Sequence, residues 1–171
     1  MYTGQLFEWK GVDSLIKSIK LLPQETLVYI IGGADRDVAK LKKEINEASD
    51  ERIVFVPFQL HGKMPYWLNS ADVLVLPNTG KQKVSLYYTS PMKMFEYMAS
   101  GKPIVASATP SIMEILNDNN SVLVEPDSPE TLAKGIISIL NNENLAENIS
   151  KNAKANSKKY TWHSRAEKIS D

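Results

Sequence analysis

A chain of 171 residues, 43% hydrophobic and 23% charged, has the composition of one ordinary globular domain that is long enough to bury a core. Equal numbers of basic and acidic residues, 20 of each, leave no overall field to draw in nucleic acid or an anionic membrane. The lack of cysteine excludes disulfides and thiolate metal sites and fits a reducing, cytoplasmic setting; no apolar run approaches the roughly 20 residues of a membrane span, and no signal-peptide pattern is present.

Taken in chain order, Met1 to Leu6 reads as a strand ending near Gly4, followed by a loop from Phe7 to Gly11. Met1 enters that strand with no linker or cap before it, which points to a piece of a longer chain. Val12, Leu15, Ile16, Ile19 and Leu22 recur on one helical face, and Pro23 closes the helix. Leu27 to Ile31 is a continuous apolar run, as expected of a parallel strand covered on both faces. Gly32 and Gly33 turn the chain into a second amphipathic helix marked by Val38, Leu41, Ile45 and Ala48. Ile53 to Val56 is a third strand, Met64 to Leu68 a short helix, and Val73 to Leu76 a fourth strand closed by Pro77. Asn78 to Thr89 is a polar loop, long enough to be functional or mobile.

The next stretch carries the most information. Ser90 suits a helix cap and Pro91 the first helical position. Met94, Phe95, Met98 and Ala99 fall at core-facing spacing, while Lys93, Glu96 and Ser100 form a second stripe able to address a cleft. Gly101 and Pro103 end the helix, and Ile104 to Ala106 is a fifth strand. Ser111 to Glu114 has capping-box spacing, Asp118 to Asn120 a turn, and Val122 to Val124 a sixth strand. Beyond Pro126 to Pro129, Leu132, Ile136, Ile137 and Leu140 line a helix, and Leu145 to Ile169 reads as two polar helices broken near Tyr160 and Thr161. Alternating strands and helices predict an α/β fold with a doubly wound, parallel, six-stranded Rossmann-like sheet. Ligands in such sheets lie beyond the carboxyl ends of the strands.

The segment from Tyr87 to Ser107 resembles the donor-binding segment of the retaining GT-B glycosyltransferases of family 4, the group 1 transferases. In that family two glutamates with seven residues between them flank the donor, followed by a small-residue turn, Gly, any residue, Pro and an apolar strand. Glu96 takes the second glutamate position and Tyr88 the first. The family also carries Gly-Arg-Leu and then Lys-Gly in its first loop, where this chain has Gly4, Gln5, Leu6, Lys10 and Gly11. The resemblance runs from Met1 to about Ile169 and covers only the C-terminal, donor-binding half of a GT-B enzyme. It implies a glycosyltransferase of polysaccharide or glycoconjugate biosynthesis that uses a UDP- or GDP-linked sugar with no further cofactor. The partner it implies is an N-terminal acceptor domain of the same protein, with no nucleic acid and with peripheral membrane contact open to the full-length protein.

Residue by residue, the resemblance makes Lys10 the catalytic cation at the donor diphosphate. It places Gly4, Gln5, Tyr88, Ser90, Pro91, Met92, Lys93 and Glu96 around the nucleotide-sugar, with Glu96 on the ribose hydroxyls. Base contacts are expected from backbone near Pro57 to Leu60. Two departures stand out. Gln5 donates a hydrogen bond without bringing the charge of arginine, and Tyr88 replaces a carboxylate with a neutral hydroxyl. Lys93 is expected to share the phosphate-neutralising work or, alternatively, to pair with Glu96.

Without the resemblance, Gly4 and Gly11 are turn glycines, Lys10 a solvated lysine, and Lys81 and Lys83 a solvated loop within reach of a phosphate or anionic headgroup. Trp9, Trp67 and Trp162 read as core or interface aromatics, and the two histidines, His61 and His163, as surface or packing residues with no metal role. A dinucleotide-binding dehydrogenase needs a Gly-rich spacing that Gly4 and Gly11 do not give. A non-catalytic nucleotide-sugar-binding module and half of a sugar-nucleotide 2-epimerase remain as alternatives.

Overall fold

The computed structural model describes residues 1–89 and 92–161. Its strands are β1 (Tyr2–Thr3), β2 (Val28–Ile31), β3 (Ile53–Val56), β4 (Leu74–Leu76), β5 (Ile104–Ser107) and β6 (Val122–Val124). They form two three-stranded parallel sheets, ordered β1-β2-β3 and β4-β5-β6. The inner edges meet at Met1, whose carbonyl accepts from the Val75 N–H at 2.9 Å and whose amino group donates to the Val73 carbonyl at 2.7 Å. The six expected strands therefore run in the spatial order β3-β2-β1-β4-β5-β6. The expected single sheet is seen as two sheets placed edge to edge, because β1 is only two residues long and the strand pairing ends with it.

The apolar runs of β4 and β5 are buried throughout, and their side chains alternate between two cores. Val73, Val75 and Val105 join Leu15, Ile16 and Ile136 on one face, packed by α1 (Val12–Ser18) and α7 (Pro129–Leu140). Leu74, Leu76, Ile104 and Ala106 join Met94 and Met98 on the other face. There α5 (Met92–Ser100) packs against both α3 (Met64–Asn69) and α8 (Glu143–Ser157). This alternation with period two is what a sheet covered on both sides demands.

Several expectations shift. The second helix, α2 (Asp35–Glu44), stops before Ile45, which turns extended and lets Ile45 and Ala48 enter the core from the 3-10 turn that follows. The polar loop contains a short helix, α4 (Lys83–Tyr87), which buries Ser85. In α5 the core face is Met94, Tyr97 and Met98, while Ala99 is exposed and Phe95 is half-buried against Tyr160. The helix α6 (Pro110–Met113), capped at Thr109, starts two residues earlier than the capping-box spacing implied. Pro110 takes a first-turn position, and Ser111 instead donates to the Ser85 carbonyl at 2.8 Å. In α7, Leu132, Ala133, Ile136 and Ile139 face inward and Leu140 is exposed. Ser90, Pro91, Trp162, His163 and the end of the last expected helix lie outside the described residues.

Candidate functional site

A cleft of about 500 Å³ opens at the carboxyl ends of β1, β2 and β3, beside the first turns of α5. This is where the strand order reverses between β1 and β4, the crevice that an open α/β sheet offers to a ligand. Two other cavities are larger. One of about 710 Å³ lies across the Glu8–Lys10 turn from the cleft, and one of about 660 Å³ lies under the amino ends of the strands. The cleft is the candidate site because the functional side chains converge there.

Its first wall is the loop after β1. Gly4 donates its N–H to the Ile31 carbonyl at 2.8 Å, and the Tyr2 hydroxyl donates to the Gln5 carbonyl at 2.6 Å. The chain then makes a 3-10 turn, Glu8–Lys10, that ends at Gly11 with φ 64°. A side chain at Gly11 would collide with the Pro77 carbonyl, so this loop can lie flat on the end of β4 only with glycine there. Phe7 stacks on Trp9 with ring centroids 6.1 Å apart, and Lys10 Nζ lies 3.7 Å above the Trp9 ring. Burial lowers the Lys10 ammonium to about 8. Trp9 is thus a wall of the cleft rather than a core residue.

The second wall is α5. Lys93 Nζ donates to the Thr3 carbonyl at 2.9 Å and rests 3.6 Å above the Tyr2 ring. Burial and, next, the charge of Lys10 hold its ammonium well below the usual lysine range, against a smaller opposing pull from Glu96. Glu96 also lines the cleft, with its Oε1 3.8 Å from Nδ1 of exposed His61. Met92 is exposed at the rim. Ser100, the third member of the expected stripe, turns away and donates to the Tyr97 carbonyl at 2.7 Å. The expected pairing of Lys93 with Glu96 does not form; among the described residues neither Lys10 nor Lys93 has a carboxylate within 4.0 Å.

The third wall is Phe58 and Gln59, from the expected base-contacting region. The Gln59 amide is oriented locally: Nε2 donates to the Pro57 carbonyl at 3.1 Å, and Oε1 accepts from Trp67 Nε1 at 3.4 Å. Trp67 is half-buried against Tyr29.

Of the expected site residues, Gly4, Gln5, Lys10, Met92, Lys93 and Glu96 share this cleft. Tyr88 does not: it follows α4, is 78% exposed and is not part of the lining. Sequence reasoning missed Tyr2, Tyr97 and His61. Tyr97 is fully buried, and its hydroxyl takes the Thr3 N–H at 2.8 Å and sits 3.1 Å from Thr3 Oγ1. The only signal for Tyr2 and Tyr97 was a hydroxyl carried by a residue at a core position. His61 stood in no motif. Lys81 lies on the 710 Å³ cavity, on a loop held by Asp127, which accepts from the Thr79 hydroxyl at 2.5 Å and the Gly80 N–H at 2.8 Å. Among the described residues no group of three metal-binding side chains occurs, and no helix is long and apolar enough to cross a membrane.

Comparisons with known proteins bear on this geometry. The family model described as glycosyl transferases group 1 matches residues 1–156. An uncharacterized glycosyltransferase of Methanocaldococcus jannaschii is 29% identical over 157 residues, 90% of this chain and 38% of its own length. The crystal structure of Anabaena HepE in complex with UDP superposes with a TM-score of 0.82 at 22% identity, covering 99% of this chain and 47% of that one. The C-terminal domain of a group 1 glycosyl transferase (LpcC) from Francisella tularensis gives a TM-score of 0.74 at 21% identity, covering 94% of this chain and 85% of that domain. The chain therefore spans well under half the length of the curated relative it matches.

Proposed function

We infer the function from one premise: this chain belongs to the glycosyl transferases group 1 family. In our reading it is the donor-binding half of a glycosyltransferase. It holds a nucleoside-diphosphate sugar, UDP- or GDP-linked, for transfer with retention to an acceptor presented by an N-terminal half of the same protein. The single observation that carries this is the convergence of Gly4, Gln5, Lys10, Lys93 and Glu96 on one cleft beyond the strand ends. The likeness to a UDP-bound neighbour supports the choice of ligand class.

The chemistry follows from charge. Transfer breaks the bond between the anomeric carbon and the phosphate oxygen, and the electron pair leaves with the nucleoside diphosphate. A cation fixed where that charge develops lowers the barrier, and in this reading Lys10, which lines the cleft, supplies it. Glu96 accepts hydrogen bonds from the ribose hydroxyls. The acceptor hydroxyl takes the sugar and gives its proton to the departing phosphate oxygen. No metal or organic cofactor enters this scheme, and we place the reaction in the cytoplasm, at the membrane surface where the acceptor is lipid-linked.

The experiment is a thermal-shift and calorimetric screen of this chain against UDP, GDP, ADP and their sugars. Ligand at about 100 times its Kd stabilises by about 2.7 kcal/mol, a readily seen rise in Tm. One nucleotide should raise Tm well above the others, and the chain alone should transfer no sugar. No response to any nucleoside diphosphate overturns the reading; transfer by this chain alone overturns the division of labour.

A further inference from the structure

We propose that Lys93 supplies the second positive charge of a two-lysine diphosphate clamp, acting from α5 opposite Lys10 and replacing the charge that Gln5 does not bring. This rests on the nucleoside-diphosphate reading above and assigns the charge within that site.

Lys93 and Lys10 come from different elements and line the same cleft. They are near enough for the charge of Lys10 to act on Lys93. Neither is neutralised by a carboxylate within 4.0 Å among the described residues, and each rests its ammonium on an aromatic face, Lys10 on Trp9 and Lys93 on Tyr2. Aromatic faces and one carbonyl hold a cation in place without cancelling its charge. Two uncancelled, partly desolvated cations repel each other, and an anion bound between them removes that repulsion. Glycine at position 4 keeps the approach open, since a Cβ there would lie 3.2 Å from Lys93 Nζ. Gln5, on the same wall, offers only a neutral amide. The titratable groups that face Lys93 are Lys10, Glu96 with His61 beyond it, and Tyr2 beneath; Glu96 is the sole carboxylate among the described residues that line the cleft.

The competing role is structural: Lys93 as a strut that pins β1 through the Thr3 carbonyl. Calorimetry separates the two, using UDP, uridine and inorganic pyrophosphate with the whole chain and its Lys93→Met variant. A clamp lysine makes a charge-assisted bond to phosphate alone, so UDP and pyrophosphate should weaken by about 10-fold or more while uridine moves less than about 2-fold. The loss should shrink as salt rises. Gln5→Arg added to Lys93→Met should recover part of the UDP affinity. Equal losses for UDP and uridine, or unchanged UDP affinity, overturn the clamp, as does the absence of recovery with Gln5→Arg. Should Lys93→Met fail to fold, Lys93→Arg keeps the charge, and salt-sensitive UDP binding in it is required. A wild-type chain that binds no UDP, GDP or pyrophosphate sinks the functional reading itself; one that binds them as tightly without Lys93 sinks only this inference.

Discussion

Lys93 reaches across from α5 to donate its ammonium to the carbonyl of Thr3 at 2.9 Å, fastening the helix that carries Glu96 to the first strand. Thr3 is gripped from the same helix a second time, because its N–H and hydroxyl both face the buried hydroxyl of Tyr97. The short β1, with only two residues in the sheet, is thereby held where the loop bearing Gln5 and Lys10 begins.

Tyr97→Phe removes that second grip and leaves the Thr3 N–H and hydroxyl buried without it. An unsatisfied buried group costs about 1–3 kcal/mol, so the variant should lose roughly 2–4 kcal/mol. Urea unfolding measures it, with the midpoint shifted and the slope unchanged. A loss under about 0.5 kcal/mol would show that the bonds to Thr3 contribute little.

Glu96→Gln keeps an acceptor but surrenders charge-assisted bonding to the ribose, at a cost of about 1–2 kcal/mol. Uridine and UDP carry the same ribose and should lose the same factor, in contrast to Lys93→Met. Unchanged affinity for both in Glu96→Ala would remove Glu96 from the ribose.

Much of the fold was legible because strands buried on both faces have to be apolar throughout. Leu27 to Ile31, Ile53 to Val56 and Ile104 to Ala106 announced themselves, and each matches an observed strand to within one residue at either end. The face of α5 was harder. Tyr97 and Ala99 both suit a helix interior, and only tertiary packing, which gives Thr3 the Tyr97 hydroxyl, chooses between them. The helix α4 was hidden because Lys83 to Tyr87 is only about one turn and a half, too short for a helical period to show. In the site, Lys10, Lys93 and Glu96 were visible through spacing and resemblance. Tyr2 was not, since nothing in a strand residue reveals that its ring will carry a lysine and its hydroxyl will anchor the Gln5 carbonyl. Tyr88 shows the reverse: alignment to a motif marked it, yet the chain leaves it exposed after α4.

Gly135 sits inside α7 with the sheet pressed against it. A Cβ there would lie 2.8 Å from Val124 Cγ1 and 3.1 Å from Val105 Cγ1, both on stiff β-branched side chains. Alanine gains about 1 kcal/mol of helix propensity, whereas overpacking costs about 1–3 kcal/mol. Gly135→Ala should therefore lower stability by about 1 kcal/mol in urea unfolding. A rise in the midpoint would mean that the helix shifts freely on the sheet.

The clearest pH test sets affinity against stability. In the free chain burial brings the Lys10 ammonium down to about 8 from the ordinary lysine value of 10.5. A bound diphosphate favours the charged form and draws that value back up. The complex therefore keeps a proton that the free chain gives away, and UDP affinity should fall as pH rises through about 8. Stability runs the other way. The unfolded chain holds the Lys10 proton up to its ordinary value while the folded chain releases it near 8, so the unfolded state binds more protons in that window and the Lys10 contribution to stability rises with pH. Lys93, also lowered by burial and by the charge of Lys10, acts in the same two directions. Calorimetric titration of UDP from about pH 7 to 9, beside urea unfolding of the free chain, should give these opposite slopes. Uridine serves as the control that carries no phosphate. Lys10→Met should flatten both curves; a Lys10→Met chain whose UDP affinity still falls as steeply over this range would place the titrating group elsewhere.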